Sequence, residues 1–194
     1  MKKLHMLLNL VVLKPMLRLL GSLVAFFSPF YEKWFDFKYH AGGYLRKKYL
    51  AARFKTCGEG LIVYGKPLIF NPKKISVGNH VTINTGVQIA PRGNVIIDDY
   101  VTFSRGSQIT AGQLDTSKWV RGGYKKIPHV ALDVHIGEGT WLCVNSIVLP
   151  GVNISGKGVI VAAGAVVTKD ITEDYVIVGG IPAQIIKRLG DCDE

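Results

Sequence analysis

Two histidines stand where the chain's most regular pattern breaks off: His129 in KKIPHVAL and His135 in DVHIGEG. An imidazole can both accept and donate a proton, so either ring could serve as a general base or acid. Asp115, in GQLD, lies on the far side of the break. A carboxylate there could act as the base itself, or orient His129 as carboxylates orient catalytic imidazoles. His129 falls on a stretch without regular pattern and is free to turn into a site. His135 flanks Ile136, an inward position of the pattern below, so its side chain should face outward. The three cysteines (Cys57, Cys143 and Cys192) are far apart and show neither disulfide nor metal spacing. That usage suits free thiols in a reducing cytoplasm.

The element that must position these groups is a repeat of six. ISVGNH VTINTG VQIAP spaces Val77, Ile83 and Ile89 six apart. After a two-residue slip, VIIDDY VTFSRG SQITAG does the same with Ile97, Phe103 and Ile109. After a gap, VHIGEG TWLCVN SIVLPG VNISGK continues with Ile136, Leu142, Val148 and Ile154. Two residues before each sits a small or β-branched residue, such as Val81, Ser107 or Thr140. Self-similarity at a short fixed period signals a solenoid. One aliphatic residue per hexad predicts a thin triangular coil, with a short strand on each side and three hexads per turn. A β-sandwich would alternate with a period of two instead. The extra residue in SGKG leaves Ile160 and Val161 as candidates for the next inward place, and VAAGAVV favours Val161. Residues 110–133 interrupt the coil. Their stretch TSKWVRGGYKK is polar, basic and glycine-containing, as an exposed loop should be.

The chain of 194 residues carries a net charge of +10, unevenly placed. Residues 1–56 hold 11 Lys and Arg against Glu32 and Asp36, so the rest is close to neutral. Two domains are expected: a basic, apolar helical head over 1–56 and a coil over 57–194. In the head the cations sit among LLNLVVL, LRLLGSLVAFFSPF and YEKWFDFKY. Nucleic-acid binding would place them on a polar surface, so that partner is not expected. Lys14, Pro15 and Arg18 break the apolar run before it can span a membrane. A Lys-Lys start resembles a signal peptide, but no small-residue cleavage site follows. The mixture suits an anionic membrane surface contacted through residues 1–38, at the inner face of the cell membrane. Packing on a protein partner or on the coil, and tight re-entrant or spanning insertion, are the alternatives.

The hexads, with IGEGTWLCVNSIVLPGVNI and VAAGAVVTKDITEDYVIVGGIPAQIIKRL, resemble the hexapeptide-repeat acyltransferases, closest to the sugar O-acetyltransferase branch. The resemblance covers about residues 58–190. It implies an all-β, left-handed parallel β-helix; the α-helical membrane-associated segment expected before it lies outside the resemblance. It implies a homotrimer with sites between neighbouring coils, acetyl-CoA as acyl donor and no metal. It sets Ala163, Thr168, Lys169 and Lys187 at acyl-CoA-contacting positions, where the two cations suit a triphosphorylated ligand. Gln184 stands where the family often has an arginine. Asn84, Arg92 and Trp141 are the expected acceptor-binding residues. Arg92 stands near a place where an acid is common, which suggests an acceptor with a phosphate or carboxylate. The family's base is a histidine five residues after the last inward aliphatic before the loop. Counted from Ile109, that place is Leu114. The base is then His129, Asp115 or His135, or the chemistry has been lost. The zinc site of carbonic anhydrases on the same coil is not expected, because His129 and His135 are six apart and His80 lies in an early turn. The implied function is acetyl transfer to a hydroxyl of a sugar or glycan intermediate in cell-surface polysaccharide biosynthesis. The alternatives are an N-acetyltransferase acting on an amino sugar, and a non-catalytic trimeric scaffold tethered to a membrane.

Overall fold

The computed structural model describes residues 45, 47–119 and 127–190. The expected helical head and its membrane contact through residues 1–38 lie outside the described residues. Among the described residues no helix is long and apolar enough to cross a membrane.

The coil is built from strands of mostly two to four residues. The first turn holds β1 (Thr56–Cys57), β2 (Ile62–Val63) and β3 (Leu68–Ile69). The second holds β4 (Ile75–Val77), β5 (Thr82–Ile83) and β6 (Gln88–Pro91), and the third β7 (Val95–Ile97), β8 (Thr102–Phe103) and β9 (Gln108–Leu114). After the interruption comes β10 (His129–Ala131). The fourth turn then holds β11 (Val134–Ile136), β12 (Trp141–Leu142) and β13 (Ile147–Val148), and the fifth β14 (Asn153–Ile154), β15 (Ile160–Val161) and β16 (Val166–Val167). A bridge from Ile154 to Ile171 opens a sixth turn, which β17 (Val176–Gly180) and β18 (Ala183–Arg188) close. The result is an all-β, left-handed β-helix of about six turns.

Three parallel faces result, ordered β1-β4-β7-β11-β14, β18-β17-β15-β12-β8-β5-β2 and β16-β13-β9-β6-β3. Among the described residues, only β10 against β9 and β18 against β17 run antiparallel. Each turn satisfies the backbone of the next, as in Thr82 N–H to Val101 C=O at 2.9 Å. The predicted inward residues are buried: Ile83, Ile89, Phe103, Ile109, Ile136, Leu142 and Ile154 are all 0% exposed. Val161, rather than Ile160, takes the disputed inward place. Leu50 and Phe54 join the same buried cluster, so the packed coil begins before residue 57.

Three short strands per turn demand three sharp corners. Between the first and second faces the chain takes left-handed backbone at His80, Tyr100, Gly139, Gly158 and Tyr175. Glycine adopts that conformation without strain, but His80 and Tyr100 need support. Their rings stack at 5.1 Å and 13°, one turn above the other.

Candidate functional site

The interruption is a hairpin stem before it is a loop. β9 runs past the inward Ile109 as far as Leu114, and β10 pairs with it antiparallel. The register sets His129 opposite Leu114, Val130 opposite Gln113 and Ala131 opposite Gly112. Asp115 N–H to Pro128 C=O, at 2.9 Å, continues the ladder. His129 is therefore on a strand, contrary to the expectation of irregular chain. A chain leaving a coil exposes backbone donors and acceptors, and pairing its two arms satisfies them. Directly opposed residues of an antiparallel pair project from the same side of the sheet. His129 thus shares a side with position 114.

That hairpin forms one wall of a cavity of about 670 Å³ at the exit corner of the third face. Phe70, Ala90 and Thr110 line it, each following the inward residue of its own turn, with Asn71, Pro91, Gly112 and Ala131. Its charged or titratable lining residues are Lys74, Arg92 and His129. Arg92 follows β6, and its N–H bonds Ala111 C=O at 3.2 Å. Its aliphatic stem lies on Gly112: a Cβ there would stand 2.6 Å from Arg92 Cβ and 2.9 Å from Cδ. Lys74 ends a 3-10 turn, Pro72–Lys74, and its ammonium donates to the Arg92 carbonyl.

The remaining predicted residues fall elsewhere. Asp115 caps the 3-10 turn Thr116–Lys118, accepting from Ser117 N–H at 3.1 Å and Ser117 Oγ–H at 2.5 Å. It is not among the residues lining the cavity. His135 does face outward, but from the first face. Its Nε2 lies 2.8 Å from Asp98 Oδ2 and its Nδ1 2.9 Å from Asn153 Oδ1. Asn84 spends its amide at a corner, donating to Phe103 C=O at 2.7 Å. Trp141 lies on the second face, with Nε1–H donating to Ser104 Oγ at 2.8 Å. Ala163 is exposed at the corner that leads to the third face, and Lys187 is exposed on β18. Thr168 and Lys169 follow β16 and are exposed at the same corner as the cavity. They stand two strands from β9, about 10 Å along the coil.

The structure therefore brings together His129 and Arg92, with Thr168 and Lys169 further along their corner. His135 stands apart from them. Sequence reasoning missed Phe70, Lys74 and Gly112. Their signal was the two-residue slip after Ile89, which recurs after Ile69 and lengthens that corner. Thiol chemistry is not favoured. Burial pushes the Cys143 thiol up, and burial does the same at Cys57 against the opposing pull of Lys47. A second cavity, of about 430 Å³, is lined by Asp98, Asp99 and Glu138 on and beside the first face. Among the described residues no group of three His, Cys, Asp or Glu could hold a metal ion.

A hexapeptide coil with a hairpin thrown out beside a polar cavity defines the architectural class. No model of a protein family matches the chain. Known proteins do. A galactoside O-acetyltransferase of Lactococcus lactis is 30% identical over 64% of this chain and 58% of its own length. A putative lipopolysaccharide biosynthesis O-acetyl transferase of Escherichia coli is 32% identical over 62% of this chain and 74% of its own. The chain thus spans less than two thirds of the first relative and about three quarters of the second. A hexapeptide-repeat acetyltransferase of Vibrio cholerae, solved with acetyl coenzyme A, superposes with a TM-score of 0.66 at 25% identity. That match covers 73% of this chain and 75% of the other. The chain belongs to the hexapeptide-repeat acetyltransferase family.

Proposed function

We propose that this protein transfers an acetyl group from acetyl-CoA to a hydroxyl of a sugar, with His129 as the base. The observation that carries the reading is the register of β9 with β10. The family's histidine is replaced by Leu114, and the residue paired directly across from it is a histidine lining the cavity. His129 would take the proton of the acceptor hydroxyl as its oxygen attacks the thioester carbonyl carbon. It would then return that proton to the departing thiol as the carbon–sulfur bond breaks. Backbone N–H groups along the coil edge are the donors available to the oxyanion formed in between. Thr168 and Lys169, on the same corner, suit the donor, and Lys169 supplies a cation for its phosphates. The acetyl coenzyme A in the Vibrio cholerae structure and the sugar named for the Lactococcus lactis relative support the two substrates. The lipopolysaccharide relative supports a glycan destined for the cell surface.

The assignment extends to a homotrimer. Trp141, Asn84 and Ala163 lie on the second face or its corner, whereas His129 and Arg92 lie at the exit of the third. One coil alone leaves these two groups on different corners. A neighbouring coil presenting its second face would complete the site.

The test is thiol release from acetyl-CoA in the presence of sugar acceptors. His129→Asn should lower kcat/KM by about 10²–10⁴-fold, the usual worth of a positioned base. His135→Asn should stay within severalfold of wild type. Full turnover by His129→Asn would reject His129 as the base. No thiol release by the wild type with any sugar would reject the reaction.

A further inference from the structure

The same cavity has a sign of charge. We propose that its ligand is an anionic sugar, carrying a carboxylate or a phosphate, held by Arg92 and Lys74 with a hydroxyl toward His129. This rests on the reading of the cavity as the acceptor site. Both permanent charges in its lining are positive, and no acid lines it.

The two cations are held there rather than merely exposed there. The Arg92 stem lies flat on Gly112, where any Cβ would collide with it. That contact fixes the direction in which the guanidinium leaves the strand. The Lys74 ammonium is tied to the Arg92 carbonyl, which keeps it beside the strand end from which the guanidinium leaves. Two other exposed cations of the coil are paired with acids: Lys157 with Glu138 at 3.0 Å and Arg188 with Glu173 at 2.8 Å. Among the described residues no carboxylate pairs with Arg92. Asp133 feels the Lys74 charge, but its carboxylate is engaged by the N–H and amide of Asn94 and does not line the cavity. Like charges so confined favour an anion, and the planar guanidinium offers a carboxylate or phosphate two parallel N–H bonds. Phe70, 52% exposed at the cavity wall, offers an apolar face to a sugar ring.

The experiment is calorimetric titration of the full chain, saturated with CoA, with three probes: glucose, glucuronate and glucose 6-phosphate. One or both anions should bind roughly tenfold or more tightly than glucose, as a charge-assisted bidentate contact allows. The tighter anion identifies the group the site prefers. Arg92→Gln should bring the anions to within about twofold of glucose, and Gly112→Ala should reduce the preference by displacing the stem. Lys157→Gln, on another corner, should leave it intact. If neither anion outbinds glucose, or if the preference survives in Arg92→Gln, the proposal is overturned. It is equally overturned if Arg92→Gln weakens CoA and not the probes, because the cations then belong to the donor. Binding requires no chemistry. Anion-selective binding without acetyl transfer would therefore sink the transferase reading and leave this one standing.

Discussion

His129 is directed by strand pairing, not by its neighbours in sequence. Opposite Leu114 in an antiparallel register, its imidazole leaves the hairpin from the same side as the leucine. If that shared side is what matters, the two positions should be interchangeable. His129→Ala should remove most of the turnover, and adding Leu114→His should restore at least about tenfold of what was lost, part of the usual worth of a positioned base. The readout is kcat at saturating acetyl-CoA, with His135 untouched in both variants. No recovery in the double variant would mean that the hairpin does more than present a ring to the cavity. The contrast with His135 is instructive. Its ring has a carboxylate at 2.8 Å and an amide at 2.9 Å, the more complete hydrogen-bonded setting of the two histidines. Yet its partners come from the turns directly before and after, in the register of β7, β11 and β14. It fastens three turns together on a face away from the cavity. A well-supported imidazole is thus no guide to catalysis unless it faces a space that a substrate can enter.

Elements of two or three residues are too short to hold themselves, so the corners must carry side-chain bonds from one turn to the next. Asn79 N–H donates to Asp99 Oδ1 at 2.6 Å, and Glu59 N–H donates to Asn79 Oδ1 at 2.9 Å, one turn earlier. Asn94 with Asp133, and Asn153 with Asp170, repeat the arrangement. The Asn79 N–H holds the Asp99 carboxyl below its ordinary 3.8, with further help from the Asn79 amide, and the Asn94 N–H does the same for Asp133. A carboxyl whose pKa is lower folded than unfolded stabilises the fold above its unfolded value. That stability is lost as pH falls through the folded value. Asp99→Asn should therefore melt below the wild type at pH 7, and the gap should close on acidification below 3.8. Thermal unfolding at several pH values measures this; a gap that persisted in acid would show that the charge is not what matters. These corners also mark the limit of what the sequence reveals. Ile83, Phe103 and Ile109 were legible because each hexad must send one apolar residue inward, and the period repeats. The pairing of His129 with Leu114 was not, because register across a hairpin depends on backbone bonds between residues that follow no period. Lys74 was hidden in the same way. It reaches the cavity through an extra-long corner that reads in sequence only as a two-residue slip.

At the scale of the whole molecule, the coil and the segment before it divide the charge between them. Residues 1–56 hold 11 of the 24 Lys and Arg, amid long apolar runs, while the coil is close to neutral. A near-neutral body gives an anionic surface little to attract, so any such attraction should reside in the head. Cations near an anionic bilayer contribute about 1 kcal/mol each, and apolar side chains entering the interface add to that. We propose that residues 1–38 keep the protein at such a surface, where lipid-borne glycans are found. Removal of those residues should leave the coil folded, because Leu50 and Phe54, which join its core, remain. Co-sedimentation with vesicles of anionic and of neutral lipid tests this. The full chain should bind anionic vesicles, bind neutral ones weakly and release in high salt, since surface charges are screened within about 8 Å at physiological ionic strength. The shortened chain should stay in solution with both while still binding CoA. If it sediments with anionic vesicles as the full chain does, the attachment lies in residues 39–56, which keep five of those cations, or in the coil, and residues 1–38 must serve another partner.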